Sequence, residues 1–125
     1  MVEHRRAAER GSATLETVIL WPAVFLLIFG MVHGAIWFHA RNVALAAAQE
    51  GARAASVADG AGGAARAATF LGDRAAVVRV DDIRESSDGD TVTVTVTGTS
   101  TTLIPGWRVD VRQSATAPIR RWTGP

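Results

Sequence analysis

Cysteine is absent from this chain of 125 residues, which excludes disulfides, thiolate metal sites and cysteine nucleophiles. Lysine is absent as well: all 13 basic residues are arginine, set against 12 acidic ones. A net charge of +1 leaves no strongly basic surface, so nucleic acid is not an expected partner. Hydrophobic residues make up 48% of the chain, yet much of that share is alanine, and large side chains are scarce outside one segment. A chain of this length holds one small domain and an anchor, not two independent cores.

The large side chains are concentrated between Thr17 and Ala40, a run with no aspartate, glutamate or arginine. As a helix it would span roughly 36 Å, enough to cross a hydrocarbon core of about 30 Å with some tilt. It is too long for the h-region of a simple cleaved secretory signal. Trp21 lies near one end and Trp37-Phe38 near the other, as interfacial aromatics do. The reading is a membrane span over about residues 17–40, with the lipid bilayer as a partner. Arg5, Arg6 and Arg10 precede the run and Arg41 and Arg53 follow it. That balance favours a cytoplasmic amino terminus, and the short leader and threonine-rich remainder point the same way. The Arg5-Arg6 pair lacks the surroundings of a twin-arginine signal.

Helix-forming sequence continues beyond the span. Arg41 to Ala58 is alanine-rich; Asn42, Gln49, Arg53 and Ser56 fall on one polar stripe, and Val43, Ala47, Gly51, Ala54 and Ala58 line another side. Glu50 and Arg53 form an i,i+3 pair. Asp59-Gly60-Ala61-Gly62-Gly63 then breaks the helix. One helix from Ser12 to Ala58 would be on the order of 70 Å long. Its alanines suit close helix approach better than a thick private core. Ala64 to Leu71 reads as a short second helix.

From Ala75 the period changes to two. Ala75–Ile83, Thr91–Thr97 and Trp107–Val111 read as strands, and Ser86-Ser87-Asp88-Gly89-Asp90 supplies Asp-Gly hairpin chemistry. The expected class is α+β: a leader over 1–11, a long helix over 12–58, and an antiparallel sheet region of about three strands over 59–125. So small a sheet is marginal alone, so its valine face should lean on the outer half of the long helix. The tail after Pro118 is expected to be loose.

One carboxylate, Glu16, stands at the mouth of the apolar run. Burying it without a cation is costly, and its own helix offers no mate. A plainer reading leaves Glu16 among headgroups or in a first turn, where the helix dipole favours anions. Pro22 lacks an N–H and weakens the helix locally; it serves either a bend during assembly or nothing beyond tolerance in a membrane helix. Gly30-Met31-Val32-His33-Gly34 matches GxxxG, which lets another helix approach. His33 and His39 fall on different helix faces, so no metal site is expected there. Asp81, Asp82, Asp88 and Asp90 miss calcium-loop spacing and suit a hairpin turn and a solvated face. Neither a triad nor paired carboxylates nor a phosphate-cradling loop can be assembled. The expectation is therefore no enzyme, no catalytic residue, no metal and no cofactor.

Arg10-Gly11-Ser12-Ala13-Thr14-Leu15-Glu16, a basic leader ending in glycine with a glutamate at the fifth position beyond it, resembles the type IV prepilin processing motif. With Trp21-Pro22 and the stretch Ala46-Ala47-Ala48-Gln49-Glu50-Gly51-Ala52-Arg53-Ala54-Ala55, the sequence is similar to the TadE-like pseudopilins of tight-adherence (Tad) pilus systems. The resemblance covers residues 10–55. It implies a pilin-like fold and cleavage between Gly11 and Ser12 by a membrane aspartyl prepilin peptidase. It also implies that Glu16 pairs with the freed amino terminus of a neighbouring subunit, and that the amino-terminal helix packs against other pilins. Ser12 stands where major type IV pilins carry phenylalanine, and Thr17 where short major pilins carry tyrosine. The chain is longer than those pilins, which implies an accessory subunit: a minor pilin or pseudopilin of the bacterial cytoplasmic membrane, its carboxy-terminal region outside. The alternative is an unprocessed, membrane-anchored module whose sheet binds an envelope partner. A third reading, export with cleavage near Ala44-Leu45-Ala46, has suitable small residues but too long a span.

Overall fold

The computed structural model describes the backbone of residues 2–121 and the side chains of residues 9–121. The side chains of Arg5 and Arg6 and residues 122–125 of the expected loose tail lie outside the described residues. Helix α1 runs Val2–Val57, α2 Gly63–Gly72, and three strands follow: β1 Val78–Ser87, β2 Thr91–Ser100 and β3 Val109–Pro118. The class is α+β, a long apolar amino-terminal helix with a three-stranded antiparallel sheet in the order β1-β2-β3. The chain divides into two compact units, residues 1–34 and 35–125.

The described residues of the first unit are all helical. Helix α1 begins at Val2 rather than at Ser12 and passes through Gly11 and Pro22 without interruption. The leader is alanine- and arginine-rich, which favours helix, and one glycine costs only about 1 kcal/mol against alanine. Leu15, Ile19, Phe25, Leu26 and Met31 are all exposed.

In the second unit the sheet packs on the alanine-rich part of α1. Ala40, Val43, Ala44, Ala47, Ala48, Gly51, Ala52 and Ala55 form its buried seam, spaced three and four apart as one helix face requires. Ala54 and Ala58, expected on this side, fall outside the seam, and Ser56, expected on the polar stripe, is buried. The Ser56 hydroxyl donates to the carbonyl of Pro118, and the Arg120 N–H donates to the carbonyl of Ser56 at 3.0 Å. The segment just past Pro118, expected to be loose, is thereby tied to the end of α1. The Ile119 N–H adds a bond to the Asp90 carbonyl at 2.8 Å.

Central strand β2 presents Val92, Val94, Val96 and Gly98 to the core, while Thr91, Thr93, Thr95 and Thr97 alternate outward. The valine face leans on α1 as expected. Strand β1 begins and ends later than expected, and it carries a bulge. Val80 pairs with Gly98 and Asp82 with Thr97, leaving Asp81 as the extra residue. A bulge shifts side-chain phase by one: Val78 and Val80 face inward before it, Ile83 and Glu85 after it. Gly98 fits here because a Cβ would meet the carbonyl of Arg79. Strand β3 runs on to Pro118, well beyond Val111, pairing with β2 along its whole length.

The β1–β2 hairpin closes as its Asp-Gly chemistry requires. Gly89 has φ +96°, and Asp88 Oδ1 accepts the N–H groups of Asp90 and Thr91 at 3.1 and 2.7 Å and the Thr91 hydroxyl at 3.1 Å. The backbone N–H of Thr91 above all, then that of Asp90, holds the Asp88 carboxyl below the usual carboxylate range.

Candidate processing and assembly site on the amino-terminal helix

Gly11 and Ser12 are adjacent on α1 in the first unit and Glu16 lies about one turn further on, all exposed. Among the described residues no neighbouring side chain comes within 4 Å of where a Gly11 Cβ would stand. Two threonine hydroxyls fold back on the helix here: Thr14 donates to the Arg10 carbonyl and Thr17 to the Ala13 carbonyl, each at 2.8 Å. Such back-bonding gives hydroxyls a partner inside an apolar segment.

Glu16 has no such partner. Among the described side chains none forms a salt bridge or hydrogen bond with it. It is followed by Val18, Ile19, Leu20 and Trp21, all exposed. Of the described helices, α1 is the one long and apolar enough to cross a membrane. A carboxylate at the start of such a surface is costly to keep ionised once water is removed, and is neutralised by a cation or by a proton.

Gly30 and Gly34, one turn apart, also have open space where a Cβ would be. His33, between them, stacks on Phe29 with ring centroids 5.3 Å apart. Near the end of the apolar run, in the second unit, the Arg41 guanidinium lies 5.9 Å from the centre of the Trp37 ring.

The alanine-rich motif after the run has a geometric reason that sequence reasoning missed. A Cβ on Gly51 would stand 2.6 Å from the Gly63 carbonyl oxygen, and one on Gly63 would stand 2.7 Å from that of Gly51. Both helices need glycine where they cross. Glu50 does not pair with Arg53. It accepts from Arg66 of α2, at 3.1 Å from Nε and 3.0 Å from the terminal nitrogen. At the start of α2, Glu85 Oε2 accepts the Ala64 N–H at 2.9 Å, an anion at a helix amino terminus. The β1 bulge turns Glu85 toward that position.

Residues 11–53 match the family model described as TadE-like protein. This stretch is TadE-like. The match takes in Gly11, Ser12, Glu16, Gly30 and Gly34, and reaches past Gly51 to Arg53; the sheet lies outside it. No curated protein matches the chain, and no solved structure matches it.

Proposed function

We propose that this chain is a minor pilin or pseudopilin for assembly of a Tad-type pilus or related secretion apparatus. Its TadE-like segment is the part that the assembly reads. The reading rests on one observation above all: Glu16 opens an exposed apolar helix surface and has no cation among the described side chains. In this account α1 spans the bacterial cytoplasmic membrane once, with its amino terminus cytoplasmic and the sheet extracytoplasmic. A prepilin peptidase cuts between Gly11 and Ser12, leaving an ammonium group on Ser12. That ammonium, on one subunit, neutralises Glu16 of the next and sets the axial register of the two helices. Gly30 and Gly34 let a neighbouring pilin helix come close without displacing side chains of this chain.

The pairing is tested by Glu16→Ala and Glu16→Gln in cells carrying the complete assembly apparatus. Both variants should be cleaved after Gly11 and remain in the membrane, while their recovery in assembled complexes falls at least about ten-fold, as loss of a desolvated charge pair implies. Assembly at the native level in both variants would remove Glu16 from the mechanism.

A further inference from the structure

The β2–β3 connection, Thr101–Arg108, carries an apolar tip that the pilin reading does not use. Leu103 and Trp107 are 54% and 56% exposed, and among the described residues they are the exposed large apolar side chains outside α1. The loop is nevertheless built rather than slack. The Trp107 N–H donates to the Ile104 carbonyl at 3.2 Å, and Pro105-Gly106 forms the corner with Gly106 at φ +83°, the residue pattern of a type II turn. The Thr102 hydroxyl lies 3.0 Å from the Ile104 carbonyl oxygen and 2.6 Å from that of Trp107. At its root, Thr101 donates its N–H to the Val77 carbonyl at 3.3 Å and its hydroxyl to the Ala76 carbonyl at 2.7 Å.

Position explains why such a loop would expose apolar groups. Within the second unit the strands run alongside α1. Ser56 bonds to Pro118, which pairs with Thr91, and a Cβ on Gly51 would touch Val94 at 3.2 Å. From Val94, six further strand residues advance about 20 Å, equal to roughly 13 helical residues. Ser100 and its partner Val109 therefore lie level with residues near Phe38. Ala40, fully buried in the same cluster as Val78 and Val111, agrees. The loop thus leaves the sheet at the end of this unit where Trp37, Phe38 and Arg41 stand.

We infer that the Thr101–Arg108 loop is a second membrane contact, seating Leu103, Ile104 and Trp107 in the interfacial layer of the bilayer that α1 crosses. The inference rests on the membrane reading of α1 and is independent of which side the sheet occupies. The chemistry fits a lipid surface: an aliphatic tip, a tryptophan at headgroup level, and arginine beside it. Arg79 and Arg108 line a cleft of about 410 Å³ against Ile104 and Trp107, placed to meet lipid phosphates. Asp110, paired with Thr99, and Asp81, at the bulge beside the Val80–Gly98 pair, are acids of the sheet near this end, against Arg79, which also pairs with Thr99, and Arg108. Two contacts would fix the sheet's tilt on the membrane while the subunit waits for partners.

The test uses the full chain reconstituted in phosphatidylethanolamine–phosphatidylglycerol vesicles with brominated acyl chains. One version keeps only Trp107 (Trp21, Trp37 and Trp122→Phe) and a second keeps only Trp21. Bromolipid should reduce Trp107 emission roughly two-fold, as expected for an interfacial ring, and adding Leu103→Asp should reverse most of that loss. Trp107 open to aqueous quencher and untouched by bromolipid, with Trp21 quenched, would overturn the loop contact alone. Shielding of Trp107 from both quenchers would also overturn it, by showing that protein covers the loop. Absence of quenching at Trp21 as well would overturn the membrane reading beneath it.

Discussion

Gly51 of α1 and Gly63 of α2 meet backbone to backbone, each so close to the other's carbonyl oxygen that a methyl group would stand 2.6 to 2.7 Å away. Nothing at that contact is a flexible side chain that swings aside. Alanine at either position forces the helices apart and disturbs Val94, which touches both glycines. Gly51→Ala and Gly63→Ala should each lower stability by about 1–3 kcal/mol, the usual effect of overpacking, despite the helix propensity gained. Thermal melts of the full chain in detergent, followed by circular dichroism, check this. Gly11→Ala, with open space around it, serves as the reference and should melt no lower than the native chain.

The hairpin turn should be sensitive to acid. Hydrogen bonds from the backbone of Thr91 and Asp90 and from the Thr91 hydroxyl hold the folded Asp88 carboxyl below its ordinary value of 3.8. A depressed folded pKa means the ionised form is favoured on folding, so the stabilisation is full above the unfolded value and is lost as pH falls through the folded one. Melting temperature should therefore drop more steeply below about pH 4 in the native chain than in Asp88→Asn, which keeps the acceptor oxygen but does not ionise. Parallel curves for the two proteins between neutral pH and pH 3 would contradict this role for Asp88.

Glu50 and Arg66 tie α1 to α2, but both are partly solvated, with side chains 34% and 56% exposed. Such pairs contribute at most about 1 kcal/mol and fade with salt. Arg66→Ala should shift the melt slightly at low ionic strength and not at high. Arg53→Ala, which breaks no ion pair among the described residues, should shift it at neither.

How much of this could be read from sequence depends on how local the cause is. The threonine–valine alternation of β2 and the apolar run of α1 declare themselves, because each is a period repeated over many residues. The bulge at Asp81 does not: two consecutive aspartates look like a solvated patch, and only pairing with Gly98 and Thr97 reveals the change of phase. Strand β3 is legible only as far as Val111, because beyond it the half-buried positions are Gln113, Ala115 and Ala117, side chains too small or polar to signal a strand. Ser56 looked polar and outward, yet it serves a carbonyl far along the chain. The Gly51 motif is visible in the sequence, whereas the residue it meets, Gly63, belongs to another helix. At the amino-terminal site, the position of Glu16 at the mouth of an apolar run is legible in the sequence, whereas Gly11 and Ser12 stand out only through the resemblance to a processing motif; residues 11–53 match the family model. Among the described side chains Glu16 has no ionic partner, and the partner proposed for it would stand on another subunit, which one chain's sequence does not show.

Everything in the assembly account depends on a new amino terminus appearing after Gly11. Intact-mass and amino-terminal peptide spectrometry of the membrane-extracted protein, from cells with and without the prepilin peptidase, measures it directly. The account predicts a chain beginning at Ser12 when the peptidase is active and an intact leader when it is absent. An intact leader in the presence of active peptidase would contradict it.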